Sequence, residues 1–212
     1  MNNFYGNLEY FPEKQMPNYI YEEPKYLGYY NRYSSDDYME AILNDKYSIQ
    51  MAEVKTVKVE RRSNSRGGSS TTTTIIFHGL FAKIIMDKSI NGELRILRNG
   101  LANFDKKQLR MDSSEFEKYF DVSASDKILG MRLLTADVME DLLEFSKKLD
   151  IEYEMTFRKD TIYFRFYTGN MFEPRSKGNA LDKEDIYSYY EILEFIINIT
   201  KKINDVVEDT NL

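Results

Sequence analysis

His78 is the only histidine in this sequence and the side chain best suited to proton transfer. Imidazole is the commonest general base near neutral pH, so a Ser–His–Asp type of site would have to use it. Its neighbours Phe77, Gly79, Leu80 and Phe81 are typical of an apolar strand, and no serine lies in the glycine-flanked pattern of a nucleophile elbow. The sequence therefore predicts a structural histidine and no catalytic residue.

The segment 61–71 combines arginines with glycines, two residue types found where proteins bind phosphate groups. Arg61, Arg62 and Arg66 precede Gly67 and Gly68. The spacing matches neither the P-loop nor the dinucleotide-binding pattern. The composition instead predicts a solvated, mobile hairpin loop over 61–71. Contact of the three arginines with an anionic lipid surface stays open.

Acidic side chains are grouped at four places, and carboxylates suit hard cations such as Mg²⁺ or Ca²⁺. The groups are Asp36 with Asp37, Asp112 with Glu115, Asp137 with Glu140 and Asp141, and Asp182 with Glu184 and Asp185. Most of them coincide with predicted helix starts, where capping accounts for acidic residues, and none has EF-hand spacing. We predict no metal site and no cofactor, although a carboxylate-dependent hydrolase or a divalent-metal-dependent enzyme stays open.

Composition narrows the classes of function further. The 212 residues include 35 acidic and 29 basic ones, for a net charge of −6, and no cysteine. Disulfides, zinc fingers and iron–sulfur centres are thereby excluded, and the acidic balance argues against nucleic acid as a partner. No apolar run approaches the roughly 20 residues of a transmembrane helix. We expect a soluble, cytoplasmic protein.

The first 35 residues differ in composition from the rest of the chain. They hold three of the four prolines and eight of the 17 tyrosines. Proline at these intervals favours an extended arm, and tyrosine rings pack on a core or bind a partner. Both alternatives stay open, and deleting the arm distinguishes them, because a structural arm is needed for folding. The partner-binding candidates are Tyr19, Tyr21, Tyr26, Tyr29 and Tyr30.

Alternation of apolar and polar residues predicts two hairpins, over 38–61 and 151–167, and further strands over 72–87 and 93–97. The first hairpin is expected to turn at Asn44-Asp45, and a break in its alternation near 52–55 predicts a β-bulge there. In the second, Arg165 is expected to face Glu152 or Glu154 in a surface ion pair worth at most about 1 kcal/mol.

Helical spacing of apolar residues predicts a short helix after 112–115 and longer helices from Thr135 and Asp182. The expected fold class is therefore α+β: a mainly antiparallel sheet with two longer helices packed on it. The Tyr/Pro-rich arm occupies residues 1–35, and a single domain occupies residues 36–212.

Several segments, taken in order, resemble the bacterial DUF3137 family, a domain of unknown function. The resemblance extends over about 10–203 and implies one α+β domain with no established activity, so no catalytic residue can be transferred. Related chains often carry apolar helices ahead of this domain; none precedes it here, so we expect a soluble variant or a trimmed chain. The segments are Asp36-Asp37-Tyr38, Ala52-Glu53-Val54, 77–81, 115–122, Ser125-Asp126, 132–135, Val138-Met139, Ile162-Tyr163 and Met171-Phe172-Glu173.

The leading hypothesis is a non-enzymatic interaction module with a protein partner, in the cytoplasm or at the inner face of the membrane. It depends on the missing catalytic groups and on the tyrosine-rich arm. A metal-dependent enzyme would instead be stabilised by Mg²⁺, Mn²⁺ or Ca²⁺. Docking on a membrane surface through 61–66 would be lost when its three arginines become serine.

Overall fold

The computed structural model describes residues 6–26, 28–43, 46–63, 68–100, 108–172 and 183–210. Over these ranges the chain forms nine strands and five helices. The strands are β1 (Gly6–Phe11), β2 (Arg32–Leu43), β3 (Tyr47–Ser63), β4 (Ser69–Ile85), β5 (Glu93–Arg98), β6 (Gln108–Leu109), β7 (Phe120–Ala124), β8 (Tyr153–Arg158) and β9 (Thr161–Phe166). The helices are α1 (Asn18–Glu22), α2 (Phe116–Tyr119), α3 (Lys127–Leu133), α4 (Ala136–Leu149) and α5 (Lys183–Thr210).

All nine strands belong to one antiparallel sheet with the order β1-β2-β3-β4-β9-β8-β5-β7-β6. The predicted α+β class with a mainly antiparallel sheet is confirmed. The β8–β9 hairpin lies at the centre and joins β4 to β5, which follow one another in the chain but do not pair. It turns at Lys159-Asp160, because Arg158 pairs with Thr161.

One face of the sheet packs against the helices. Met155 and Phe157 of β8 and Phe164 of β9 are fully buried in this core, as their spacing of two requires. The α4 helix begins where predicted, since the Thr135 hydroxyl accepts a hydrogen bond from the amide of Val138 at 3.3 Å. The expected cap of α5 at Asp182 lies outside the described residues.

The opposite face of the sheet is covered by the N-terminal segment, here the described residues 12–26 and 28–31. Met16, Ile20 and Tyr21 are buried against Phe77 and Phe81 in a second core. The segment is less extended than the prolines predict, because a turn of helix, α1, follows Pro17. Proline lacks an amide hydrogen and is tolerated ahead of the first helical turn, so it starts α1 without breaking it.

The register of β2, β3 and β4 tests two of the predictions made for this part of the chain. The predicted irregularity near 52–55 is present, because Asp36 pairs with Glu53 but Met39 pairs with Met51, which places the extra residue on β2. A further bulge lies at Ile76, which is skipped where Thr56 pairs with Phe77 and Val57 with Ile75. The loop is shorter than 61–71, because pairing continues to Ser63 with Ser69. Valine and threonine favour strands, and this preference outweighs the loop-like polar composition. The predicted turn at Asn44-Asp45 lies outside the described residues.

Candidate functional site

The predicted ion pair of the second hairpin forms, but in the interior. Arg165 lies opposite Glu154 in the β8–β9 register. Its Nε lies 3.0 Å from Glu154 Oε2, and its Nη2 also bonds that oxygen. The exposed fractions are 3% for the Arg165 side chain and 0% for Glu154. The expectation of a surface pair is therefore wrong, because the N-terminal segment covers the polar face of the hairpin.

Aromatic side chains enclose this ion pair. The Arg165 guanidinium lies 3.9 Å from the ring centroid of Tyr26, and its Nη1 donates to the Tyr21 hydroxyl at 3.2 Å. The Tyr167 hydroxyl donates to Glu154 at 3.1 Å, and Arg98 Nε donates to the same carboxylate at 3.3 Å. Burial alone would lower the pKa of Arg165, but the Glu154 charge and the tyrosines raise it well above its usual value. Both charged groups are hydrogen-bonded and closed off from solvent, so the pair suits a structural role better than a catalytic one.

A second polar group lies where β2 and β3 lose their regular register. Carboxylate oxygens of Asp36, Asp37 and Glu53 all lie within 4.8 Å of one another. Asp37 has a left-handed backbone with φ 50°, and its carboxylate accepts a hydrogen bond from the Tyr10 hydroxyl. Glu53 is buried and accepts hydrogen bonds from the backbone amides that follow β9, including Phe172 at 3.0 Å. Asp36 and Asp37 lie on β2 and Glu53 lies on β3, at the point where the register of the two strands shifts.

The chemistry of this acidic group follows from burial and repulsion. Burial raises the pKa of Glu53 from 4.5 to about 7; Asp37 and Asp36 add to the rise, and the amides of Met171 and Phe172 oppose it. Three oxygen ligands at this spacing could hold a hard cation such as Ca²⁺. The same carboxylates already hold Tyr10 and the segment after β9, so their positions are also explained without an ion.

His78 lies on β4 and is partly buried. Its Nε2 lies 2.5 Å from the side-chain oxygen of Asn170, and its carbonyl accepts the amide of Gly169. Next to it, a side chain at Gly79 would place its Cβ 2.0 Å from the Phe166 carbonyl, so only glycine allows this approach of the two strands. The histidine holds the segment that follows β9, which is the structural role that its apolar neighbours suggest.

The five tyrosines proposed to bind a partner divide into two groups. Tyr21 is buried, Tyr26 donates to the Tyr163 carbonyl at 3.0 Å, and Tyr30 donates to Glu22 at 2.8 Å. Tyr19 and Tyr29 are exposed, at 67% and 70%. Only these last two present their rings to solvent, so the segment acts chiefly as a cover for the sheet.

The most prominent surface feature is a two-stranded ribbon, formed by residues 57–63 of β3 and 69–75 of β4. Neighbouring strands stop short of it, because β2 pairs with β3 only as far as Val57 and β9 pairs with β4 only from Leu80. At about 3.3 Å per residue the ribbon extends about 20 Å beyond the rest of the sheet. Residues 61–63 and 69–75 are exposed. A two-stranded ribbon is only marginally stable by itself.

The ribbon is mainly basic in an acidic protein. Three of its four charged residues, Lys58, Arg61 and Arg62, are basic, while the whole chain carries a net charge of −6. Lys58 pairs with Glu60 at 2.7 Å. Arg61 and Arg62 are adjacent on β3, so they point to opposite faces of the ribbon. Both are exposed near its end, and Arg66 lies outside the described residues.

These sites belong to an α+β protein with a single nine-stranded antiparallel sheet, helices on one face and an N-terminal segment on the other. The chain is a member of the DUF3137 family, described as a protein of unknown function, whose family model matches residues 75–205. The match is shorter than the resemblance over 10–203, and it leaves Asp36-Asp37-Tyr38 and Ala52-Glu53-Val54 outside. No curated protein and no solved structure matches the chain. Within the described ranges, none of the helices has the length and apolar character needed to cross a bilayer.

Sequence reasoning missed two of the residues that matter most here. Glu53 carries no signal except the broken alternation around it, which predicts a bulge, and its place in the segment Ala52-Glu53-Val54. Arg98 was not predicted to contact the hairpin, yet its Nη1 donates to Glu152 at 2.6 Å and its Nε to Glu154. Both contacts join segments that are more than 50 residues apart, beyond the reach of a local pattern.

Proposed function

We propose that the protein is a non-enzymatic interaction module that contacts its partner through the ribbon. The observation that carries this proposal is the outer edge of β4 along the ribbon, which lies beyond the last pair with β9. Its backbone donors and acceptors are open to an added strand, and strand addition is a common mode of protein recognition. The polar groups of the sheet interior are sealed or hold the chain together, which favours binding over catalysis.

The composition of this edge supports the proposal. The six residues 71–76 are four threonines and two isoleucines, without charge or proline. Exposed edges are usually protected by charge, proline, brevity or cover. Among the described edges, β6 has two residues, β1 carries Glu9 and is followed by Pro12, and the β3 side of the ribbon is charged. The Asn31 side chain also binds both the amide and the carbonyl of Val59 there, at 2.8 Å each.

Site-specific photo-crosslinking in living cells tests the proposal. A benzophenone amino acid in place of Thr72 on the ribbon is expected to give a covalent product larger than the monomer. The matched control places the same amino acid at Glu140, which is exposed on α4, and is expected to give no such product. No product at Thr72, or equal products at both positions, would contradict a role for the ribbon in binding.

A second candidate function is docking on an anionic membrane surface through the end of the ribbon. It is favoured by the exposure of Arg61 and Arg62 on opposite faces of a projecting element. Arginine near an anionic surface contributes about 1 kcal/mol. Replacing both with serine is therefore expected to reduce binding to phosphatidylglycerol vesicles roughly thirty-fold.

Co-sedimentation with vesicles measures this effect. The control variant, Lys127→Ser with Arg132→Ser, removes two exposed basic residues from α3 and so the same net charge. It is expected to bind like the native chain. If both double variants lose binding equally, the attraction comes from net charge alone, and the ribbon has no special role at a membrane.

A further inference from the structure

We infer that the outer edge of β4 on the ribbon is a self-association site, whose occupant is the same edge of a second copy of this chain. The inference rests on the proposed function and specifies its partner. Two copies would pair antiparallel about a two-fold axis and continue one sheet into the other.

The first step is the availability of the edge. On its inner side, β4 pairs with β3 from Ser69 to Ile85. On its outer side, β9 covers only Leu80 to Ile85, and the segment after β9 reaches only to His78, through the amide of Gly169. Toward the tip, residues 69–75 are exposed.

The second step is self-complementarity. Along a strand, every second residue points its N–H and C=O toward the outer edge. When two such edges pair antiparallel about a two-fold axis, one residue must therefore lie opposite the same residue of the other copy, and we call it the centre of the pair. A centre at Thr73 places Thr72 opposite Thr74 and Thr71 opposite Ile75, and a centre at Thr74 is equivalent in kind. Either choice brings only β-branched, uncharged side chains together, which are favourable cross-strand neighbours. No like charges face one another.

The third step is the apolar surface that pairing would cover. Ile75 is 56% exposed, although it lies opposite Val57 in the β3–β4 register. By alternation Val59 lies on the same face of the ribbon. In a two-fold pair, Ile75 of each copy lies beside Thr71 or Thr73 of the other, so both isoleucines gain neighbours.

Charge permits a second copy of this chain as the occupant in the antiparallel arrangement. The antiparallel arrangement places the tip of each ribbon, with Arg61 and Arg62, alongside the base of the other ribbon. The tip is basic and the chain as a whole has a net charge of −6. The antiparallel arrangement keeps the two basic tips apart, whereas a parallel arrangement would bring them together.

A contact of six residues per strand is small, so we expect a weak dimer, with a dissociation constant of roughly tens to hundreds of micromolar. Sedimentation velocity over a concentration series measures it. Thr73→Glu places a charge at the centre of the pair and is expected to weaken association at least ten-fold. The control Ser63→Glu adds the same charge on the β3 strand of the ribbon and is expected to leave association within two-fold of native.

Single-cysteine variants give a second readout that does not depend on a strong dimer. The native chain has no cysteine. Directly opposed residues of antiparallel strands have Cβ atoms about 4.5–5.5 Å apart, close to disulfide geometry. Under mild oxidation, Thr73→Cys or Thr74→Cys is expected to form a disulfide-linked dimer at least ten times faster than Ser63→Cys.

The outcomes separate this inference from the proposed function. A chain that stays monomeric at millimolar concentration, with all three cysteine variants equally slow, overturns self-association. If photo-crosslinks at Thr72 then contain a different protein, the interaction module stands with another occupant of the same edge. If neither self-association nor a specific crosslink is found, both proposals are wrong.

Discussion

Replacing Arg165 with methionine is expected to lower the free energy of unfolding by about 3–5 kcal/mol, the usual cost of leaving one member of a buried ion pair. Glu154 would keep its bonds to Arg98 and Tyr167, but it would lose the two bonds from the guanidinium in a site with no solvent. Urea denaturation monitored by circular dichroism measures the loss.

The double variant Glu154→Gln with Arg165→Met is the control for this prediction. It removes both charges, so no unpaired carboxylate is left in the interior, and it is expected to lose less stability than Arg165→Met alone. Arg98 then keeps Glu152 as its partner, at 2.6 Å. If the single variant loses less than about 1 kcal/mol, the pair behaves like a surface pair, and the enclosure by the N-terminal segment is not maintained in solution.

Replacing Glu53 with glutamine is expected to stabilise the protein above neutral pH by about 2 kcal/mol. The pKa of Glu53 is raised from 4.5 to about 7 in the folded chain, so the folded state holds a proton that the unfolded state releases. Stability is therefore lost as the pH rises from about 4.5 to about 7, and it changes little further above that range. A neutral glutamine avoids this loss and still accepts the amide hydrogen bonds of Met171 and Phe172.

Melting temperatures of the native chain and the variant at about pH 5 and pH 8 measure this effect. The expected difference is several degrees at the higher pH and close to zero at the lower one. Asp36, Asp37 and the Tyr10 hydroxyl face Glu53 and define the control. Asp36→Asn relieves part of the repulsion and is expected to give a smaller gain with the same pH dependence. A gain of the same size at both pH values would mean that the raised pKa has no part in it.

Local patterns were sufficient for the elements whose partners are near in sequence. The β8–β9 hairpin has two alternating stretches, so Arg165 could be predicted to face Glu152 or Glu154, and the observed register selects Glu154. The α4 helix has Thr135 at its start and an apolar face. In both cases the residues that decide the structure lie within 15 positions of each other.

Segments that are distant in the sequence and pack over a face of the sheet could not be predicted in the same way. An alternating strand shows which residues share a face, but not what lies over that face. Glu154 and Arg165 look like solvent-facing residues, and only the approach of Tyr21, 144 residues before Arg165, makes them interior. The contact between Glu53 and Met171 spans 118 residues and involves a backbone amide, which carries no side-chain signal at all.

The ribbon shows the opposite error. Its arginines, serines and glycines predicted a loop over 61–71, because each strand alone lacks an apolar face. Pairing of Val57 and Val59 with threonine and isoleucine on β4 extends both strands almost to the turn. Strand preference is expressed by cross-strand pairs, and a pattern along one strand does not contain them.

The sheet order has a consequence for how the chain is made. Ribosomes release the protein from its N-terminus, so β1 to β4 and then β5 to β7 emerge before the hairpin that joins them. Until residue 166 has left the exit tunnel, the side of β4 that pairs with β9 and the side of β5 that pairs with β8 have no neighbour, although they lie in the middle of the finished sheet. A nascent chain stalled before that point exposes two strand edges with unpaired backbone N–H and C=O groups and hydrophobic side chains. A chaperone that binds unfolded chains would raise the yield of folded protein most at this stage of synthesis.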